Sequence, residues 1–146
     1  MALAGGSAAT ADPGPAASAR PAGSVLRYDV VFRPQVDNYV DVGTPGPGVG
    51  DQLVFQDRIL ARGRDVGVQG GSCTITALLA DGFQISCVGT VALPGGTIAF
   101  QGLATDAPEK RLAVVGGTGR YRGASGELTV LELGHDEAGT LTVRLR

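Results

Sequence analysis

A chain of 146 residues holds one domain and can bury a core unaided. A net charge of −2 argues against a nucleic-acid partner, which needs a concentrated basic face, and one His with two Cys cannot fill a zinc site unless carboxylates supply most of it. The 24 glycines, with one Met and no Trp, point away from a helix bundle, and no apolar run approaches the ~20 residues of a membrane span, so a glycine-rich all-β domain is expected.

Met1 to Ser24 is Ala, Gly, Ser and Pro with almost no large apolar side chain. Such a stretch cannot repay its ordering entropy, so residues 1–24 read as a flexible tail and 25–146 as the single domain. It lacks the basic n-region and continuous apolar h-region of a secretory signal. A cytoplasmic protein is therefore expected, or a secreted one if the N-terminus has been trimmed.

Period two sets in at Val25. Leu26, Tyr28, Val30 and Phe32 alternate with Arg27, Asp29, Val31 and Arg33, the pattern of a half-buried strand. Pro34 to Gly50 reads as a long connection ending in GTPGPGVG, either a plain surface crossing or a lid whose apolar groups are Tyr39 and Val40. Further strands are predicted over Leu53–Leu60, Val66–Leu79, Phe83–Leu93, Thr97–Ala104, Arg111–Val115, Gly126–Leu133 and Thr140–Arg146. Asp81-Gly82 and Pro94-Gly95-Gly96 form tight turns between them. Eight antiparallel strands on short turns favour a closed up-and-down barrel, with a β-sandwich as the alternative.

On the second of these strands Leu53, Phe55, Asp57 and Ile59 share a face, so an acid sits in an apolar row. Desolvation there pushes a carboxyl pKa upward and makes Asp57 a candidate proton donor; the plainer reading pairs it with Arg58 or Arg62 at the rim. Asp29 is a second candidate, although the richer apolar face of its strand belongs to its neighbours. Cys73 and Cys87 lie on apolar faces, nearly opposite each other across the Asp81-Gly82 turn. An oxidising compartment would join them, and a reducing one would leave two small buried thiols. The single histidine, His135, falls in the Gly134–Gly139 turn, where exposure is expected, and nucleophilic catalysis by a cysteine is not expected.

GGTGRYRGASG, Gly116 to Gly126, is the most distinctive segment. Arg122 stands where a GxGxxG loop needs its third glycine, and no amphipathic helix follows, so a phosphate cradle is disfavoured. A sharply bent strand connection explains the glycines instead. Tyr121, with Arg120 or Arg122, is expected to flank the barrel mouth, donating to a substrate carbonyl or simply forming rim ion pairs.

VVGGTGRYRGASGELTV closely resembles the signature of dirigent proteins and of allene-oxide-cyclase-like barrels. GDQLVFQDRIL, VGVQGGSCTIT and GTIAFQGLAT agree with it in order and spacing, so the resemblance covers Val25 to Arg146. It implies an eight-stranded barrel whose hydrophobic lumen folds a flexible substrate, as in plant allene oxide cyclases, in dirigent proteins that steer radical coupling, and in bacterial spirotetronate-forming Diels–Alder cyclases. Tyr28-Asp29 stands where allene oxide cyclases carry Tyr-Glu, and Val31 where they carry Asn. Asp57 stands where they carry a second Asn and dirigent proteins an Asp, Cys73 matches a lumenal Cys, and Ala104 falls near a lost Tyr. The missing polar groups point away from allene oxide and toward a mostly apolar lumen with two carboxylates.

Two functions follow as expectations. The first is a cofactor-free cyclase of polyketide-type natural-product biosynthesis, closing a ring on a linear polyene or enone held in a near-attack fold. Asp57, Asp29 and Tyr121 would be its catalytic groups. Leu53, Phe55, Cys73, Ile75, Phe83, Ile85, Phe100 and Tyr39 would contact the substrate. The second is a non-catalytic dirigent-like or carrier barrel. Either way the expected partner is a hydrophobic small molecule, with no metal, cofactor, nucleic acid or membrane. Apolar side chains on both faces of the first strand, with Val25 and Val31 on the poorer one, predict a homodimer or homotrimer.

Overall fold

The computed structural model describes residues 23–32, 38–133 and 138–146. Its strands are β1 (Val25–Val31), β2 (Asn38–Val40), β3 (Gln52–Ala61), β4 (Arg64–Leu79), β5 (Gly82–Leu93), β6 (Gly96–Thr105), β7 (Glu109–Gly117), β8 (Gly126–Glu132) and β9 (Ala138–Leu145). A single 3-10 turn, Gly119–Tyr121, precedes β8. Consecutive strands from β3 to β9 pair as antiparallel neighbours, and β1 pairs with both β9 and β3, which closes the sheet into an eight-stranded barrel. The all-β up-and-down barrel expected from the alternation is therefore the observed fold, and the sandwich is not. His135 and residues 1–22 of the expected tail lie outside the described residues. Gly23 and Ser24, assigned to that tail, already pair with β9: Gly23 N–H donates to Leu145 O at 2.9 Å, and Leu145 N–H to Ser24 O at 2.8 Å.

β2 was not foreseen. Its three residues are all exposed and too few to show an alternation. It pairs with the first residues of β3 (Tyr39 opposite Leu53), whereas β1 pairs with the last (Val30 opposite Ile59), so β1 and β2 share one edge of β3.

The register sorts the inward side chains into rows around the barrel. One row runs Leu53, Cys73, Cys87, Gly102; the next Phe55, Gly71, Gly89, Phe100; a third Asp57, Gln69, Val91, Ile98. β1, β8 and β9 complete the wall with Leu26, Val30, Leu128, Leu141 and Val143, all buried. Glycines punctuate these rows where a ring needs space: a β-carbon on Gly89 would lie 2.4 Å from Phe100 Cζ, so the ring takes the room a side chain would fill.

The two ends of the barrel are built differently. Gly116 to Gly126 folds over one of them, putting Tyr121 among the core residues, 3% exposed. Thr118 N–H to Thr97 O and Arg120 N–H to Gly95 O, both 2.9 Å, fasten the segment to β6 and the β5–β6 turn. A β-carbon on Gly117 would meet Tyr121 O at 2.4 Å and Thr97 O at 2.6 Å, so only glycine allows this closure. The opposite end carries β2, residues 41–51 and the half-buried Lys110–Glu132 ion pair at 2.8 Å. Among the described residues no helix is long and apolar enough to cross a membrane.

Candidate active site

Asp57 and Gln69 face each other directly across β3 and β4. Each is 2% exposed, and Gln69 Nε2 donates to Asp57 Oδ2 at 2.8 Å. Phe55 and Ile59 flank Asp57 on the same face, and Val91 and Ile98 continue the row, so a polar pair sits inside an apolar wall. The rim pairing considered for Asp57 does not occur with Arg58, which binds Asp65 on the outer surface, while Arg62 occupies the exposed β3–β4 turn with a positive φ of 51°. The alternation of β3 located Asp57 correctly. Gln69 was missed, although the inward parity of Cys73 and Ile75 leads back along β4 to Gly71 and Gln69.

The aromatic and aliphatic residues expected around a substrate divide into two groups. Phe55, Phe100, Cys73, Ile75 and Ile85 face the interior, and Phe83 packs half-buried against the same cluster. Cys73 and Cys87 are opposed and joined by a disulfide. Leu53 belongs to the inward row but lies at the rim and is 42% exposed. Tyr39 is 52% exposed, and its hydroxyl donates to Asp51 rather than reaching inward.

The other two expected catalytic groups are placed differently, Asp29 outside the barrel and Tyr121 in the core cluster at one end. Asp29 is exposed on the outside of β1, between the inward-facing Tyr28 and Val30, as the strand's alternation requires. It borders an open surface groove with Arg27, Arg62 and Thr140. Tyr121 is not at an open mouth but plugs the closed end, while the Arg120 side chain covers Gly95 and Arg122 is exposed. Asp57 alone of the three belongs to the interior wall.

Asp51, a second residue that was missed, organises the far end. It is fully buried and collects three donors: Val42 N–H on Oδ1 and Gly48 N–H on Oδ2, each at 2.8 Å, and the Tyr39 hydroxyl on Oδ2. Its backbone carbonyl accepts from Ile75 N–H at 2.8 Å, tying residues 41–51 to β4. The Tyr39 hydrogen bond, then that of Val42, holds the Asp51 carboxyl below its ordinary 3.8 against the opposing effect of burial. Asp51 in turn pushes the Tyr39 hydroxyl up to about 12. An Asp between a glycine-rich turn and a strand is the only sequence signal this cluster offers. Among the described residues no group of three His, Cys, Asp or Glu side chains could hold a metal ion.

Comparison with known proteins agrees with this architecture. The family model for the allene oxide cyclase barrel like domain matches residues 31–145. Pyocyanin demethylase is 30% identical, with a TM-score of 0.77 over 84% of this chain and 100% of its own. The Diels–Alderase AbmU from Streptomyces koyangensis is 17% identical, with a TM-score of 0.67 over 84% of this chain and 69% of that one. The pterocarpan synthase dirigent protein GePTS1 is 19% identical, with a TM-score of 0.66 over 84% and 86% of the two chains. Among proteins of curated function none matches the sequence. The signature at Gly116–Gly126, the closed eight-stranded barrel and the family match agree: this chain belongs to the allene oxide cyclase barrel-like family.

Proposed function

We propose that the protein is a cyclase that takes a linear, conjugated small molecule of polyketide type into the barrel interior and closes a ring on it without a cofactor. The observation that carries this reading is Asp57, a carboxyl enclosed by apolar side chains whose Oδ2 accepts from a neutral amide. Desolvation favours the neutral acid. A neutral carboxyl can donate to a substrate carbonyl and draw electron density from the attached double bonds, stabilising charge that grows in the transition state. Phe55 and Phe100 would hold the apolar length in one reactive conformer, an effect worth several kcal/mol, up to about 7–11.

A second reading is favoured by the 30% identity to pyocyanin demethylase over the whole of that protein. In it the interior receives a planar pyocyanin-like ring system whose N-methyl carbon leaves as formaldehyde, its oxygen drawn from water and its two electrons taken up by the ring system itself. A third, the non-catalytic dirigent-like barrel, uses the same interior without chemistry. One experiment separates them: incubation with linear polyene-enones and with pyocyanin, followed by mass spectrometry. A cyclase returns a product of unchanged mass and altered retention. A demethylase returns one lighter by a methylene unit once the ring has reoxidised in air, and a carrier returns its ligand intact.

The compartment belongs to the same proposal. The Cys73–Cys87 disulfide supports an oxidising location, and so the secreted rather than the cytoplasmic expectation. Equal mass after alkylation with and without prior reduction of protein from its native source would show free thiols and reverse this.

A further inference from the structure

Gln69 has an unused acceptor. Its Nε2 donates to Asp57 Oδ2, which makes Oδ2 the accepting oxygen of the neutral acid and places the acid's proton on Oδ1. Gln69 Oε1 is buried with no hydrogen-bond partner. A buried amide oxygen without a donor carries a desolvation penalty that folded proteins rarely tolerate, and the surrounding row supplies only apolar groups on the β5 side, at Val91 and Ile98.

We infer that the ligand of this interior carries its own hydrogen-bond donor, a hydroxyl, enol or N–H, and delivers it to Gln69 Oε1. The inference rests on the proposal that a small molecule occupies the barrel interior, and it narrows the chemistry of that molecule. A pure polyene, or one whose oxygens are all carbonyls, ethers or esters, leaves Gln69 unpaired. A ligand with an enolised dicarbonyl, an alcohol or an amide N–H pairs it while its carbonyl end remains available to Asp57. Gln69 thus selects among equally apolar ligands, acting as a specificity group rather than as part of the bond-forming chemistry.

The chain has no Trp, so Phe55→Trp gives a single fluorescent reporter on the wall beside Asp57. Its quenching is titrated with 4-nitrobenzyl alcohol and with the methyl ether of that alcohol, which differ chiefly in the donor. The alcohol should bind about tenfold more tightly, the usual order for satisfying one buried acceptor. Adding Gln69→Met, close in shape but apolar, should bring the two probes to within about twofold by weakening the alcohol alone. Equal binding of both probes to the reporter protein overturns the inference and leaves interior binding standing. Absence of quenching by either overturns the inference and the interior-ligand reading together. If the Gln69→Met variant does not fold, Gln69→Leu serves in its place, because the alcohol could also donate to the adjacent Asp57 and only a change at Gln69 separates the two.

Discussion

At the scale of single residues, Asp57 and Asp51 are both buried acids, yet they face opposite demands. Asp57 sits in an apolar row and accepts from the Gln69 amide, and its proposed work is to lend a proton. Asp57→Asn keeps the shape and a donor but removes the titration, so turnover should persist with a flattened pH profile. Asp57→Ala removes both and should cost about 10- to 100-fold in kcat/KM, or roughly 1.4–2.7 kcal/mol. Unchanged turnover in the Ala variant would leave shape alone as the catalyst. Asp51 is instead a fixed anion gathering three donors. Its pKa is lower folded than unfolded, so its contribution is present above 3.8 and is lost as pH falls through the folded value. Tyr39 is raised, so its contribution holds below 10.0 and is lost as pH climbs through about 12. The Val42 and Gly48 amides should therefore stay protected in NMR exchange measurements between those limits. Tyr39→Phe should expose them at neutral pH without altering exchange in β5 or β6.

At the scale of elements, period-two alternation carried most of the reading. It placed the strands from β3 to β9 within a few residues, because a barrel wall with one buried face writes its orientation into every second position. The same rule put Asp57 inside, and it also argued that Asp29 was outside, against the motif resemblance that made it a catalytic candidate. Alternation is silent where elements are short or fixed by side chains, which is why β2 and the Asp51 cluster escaped it. Gln69 escaped for a different reason: it lay inside the predicted strand Val66–Leu79, but only the register with β3 sets it opposite Asp57. The glycine motif was legible as a tight bend, but not that it lays Tyr121 across the barrel. Gly117→Ala should drive a β-carbon into two backbone carbonyls, costing about 1–3 kcal/mol and several degrees in Tm by calorimetry. A variant as stable as the parent would mean that the closure yields easily.

At the scale of the whole molecule, the outside of the barrel is less polar than a solitary domain requires. Val54, Val68, Val88, Leu103 and Val115 are exposed on β3 to β7, while the outer face of β1, which first suggested self-association, contributes Val25. The homodimer or homotrimer is thus proposed through the β3–β7 surface. Light scattering should give a multiple of the monomer mass at micromolar concentration, and Val88→Lys with Leu103→Lys should reduce it to the monomer without loss of fold by circular dichroism. A parent protein that scatters as a monomer would remove the proposal.

The Tyr121 closure bears on kinetics as well as on folding. Tyr121 is buried at one end of the barrel, so a substrate of the proposed kind would enter and leave from the other end, which carries residues 41–51. With a single way in and out, a spent product would have to depart before the next substrate is admitted. Product should then inhibit competitively, and turnover should rise when the doorway is loosened, as in Tyr39→Phe, if departure rather than ring closure sets the pace.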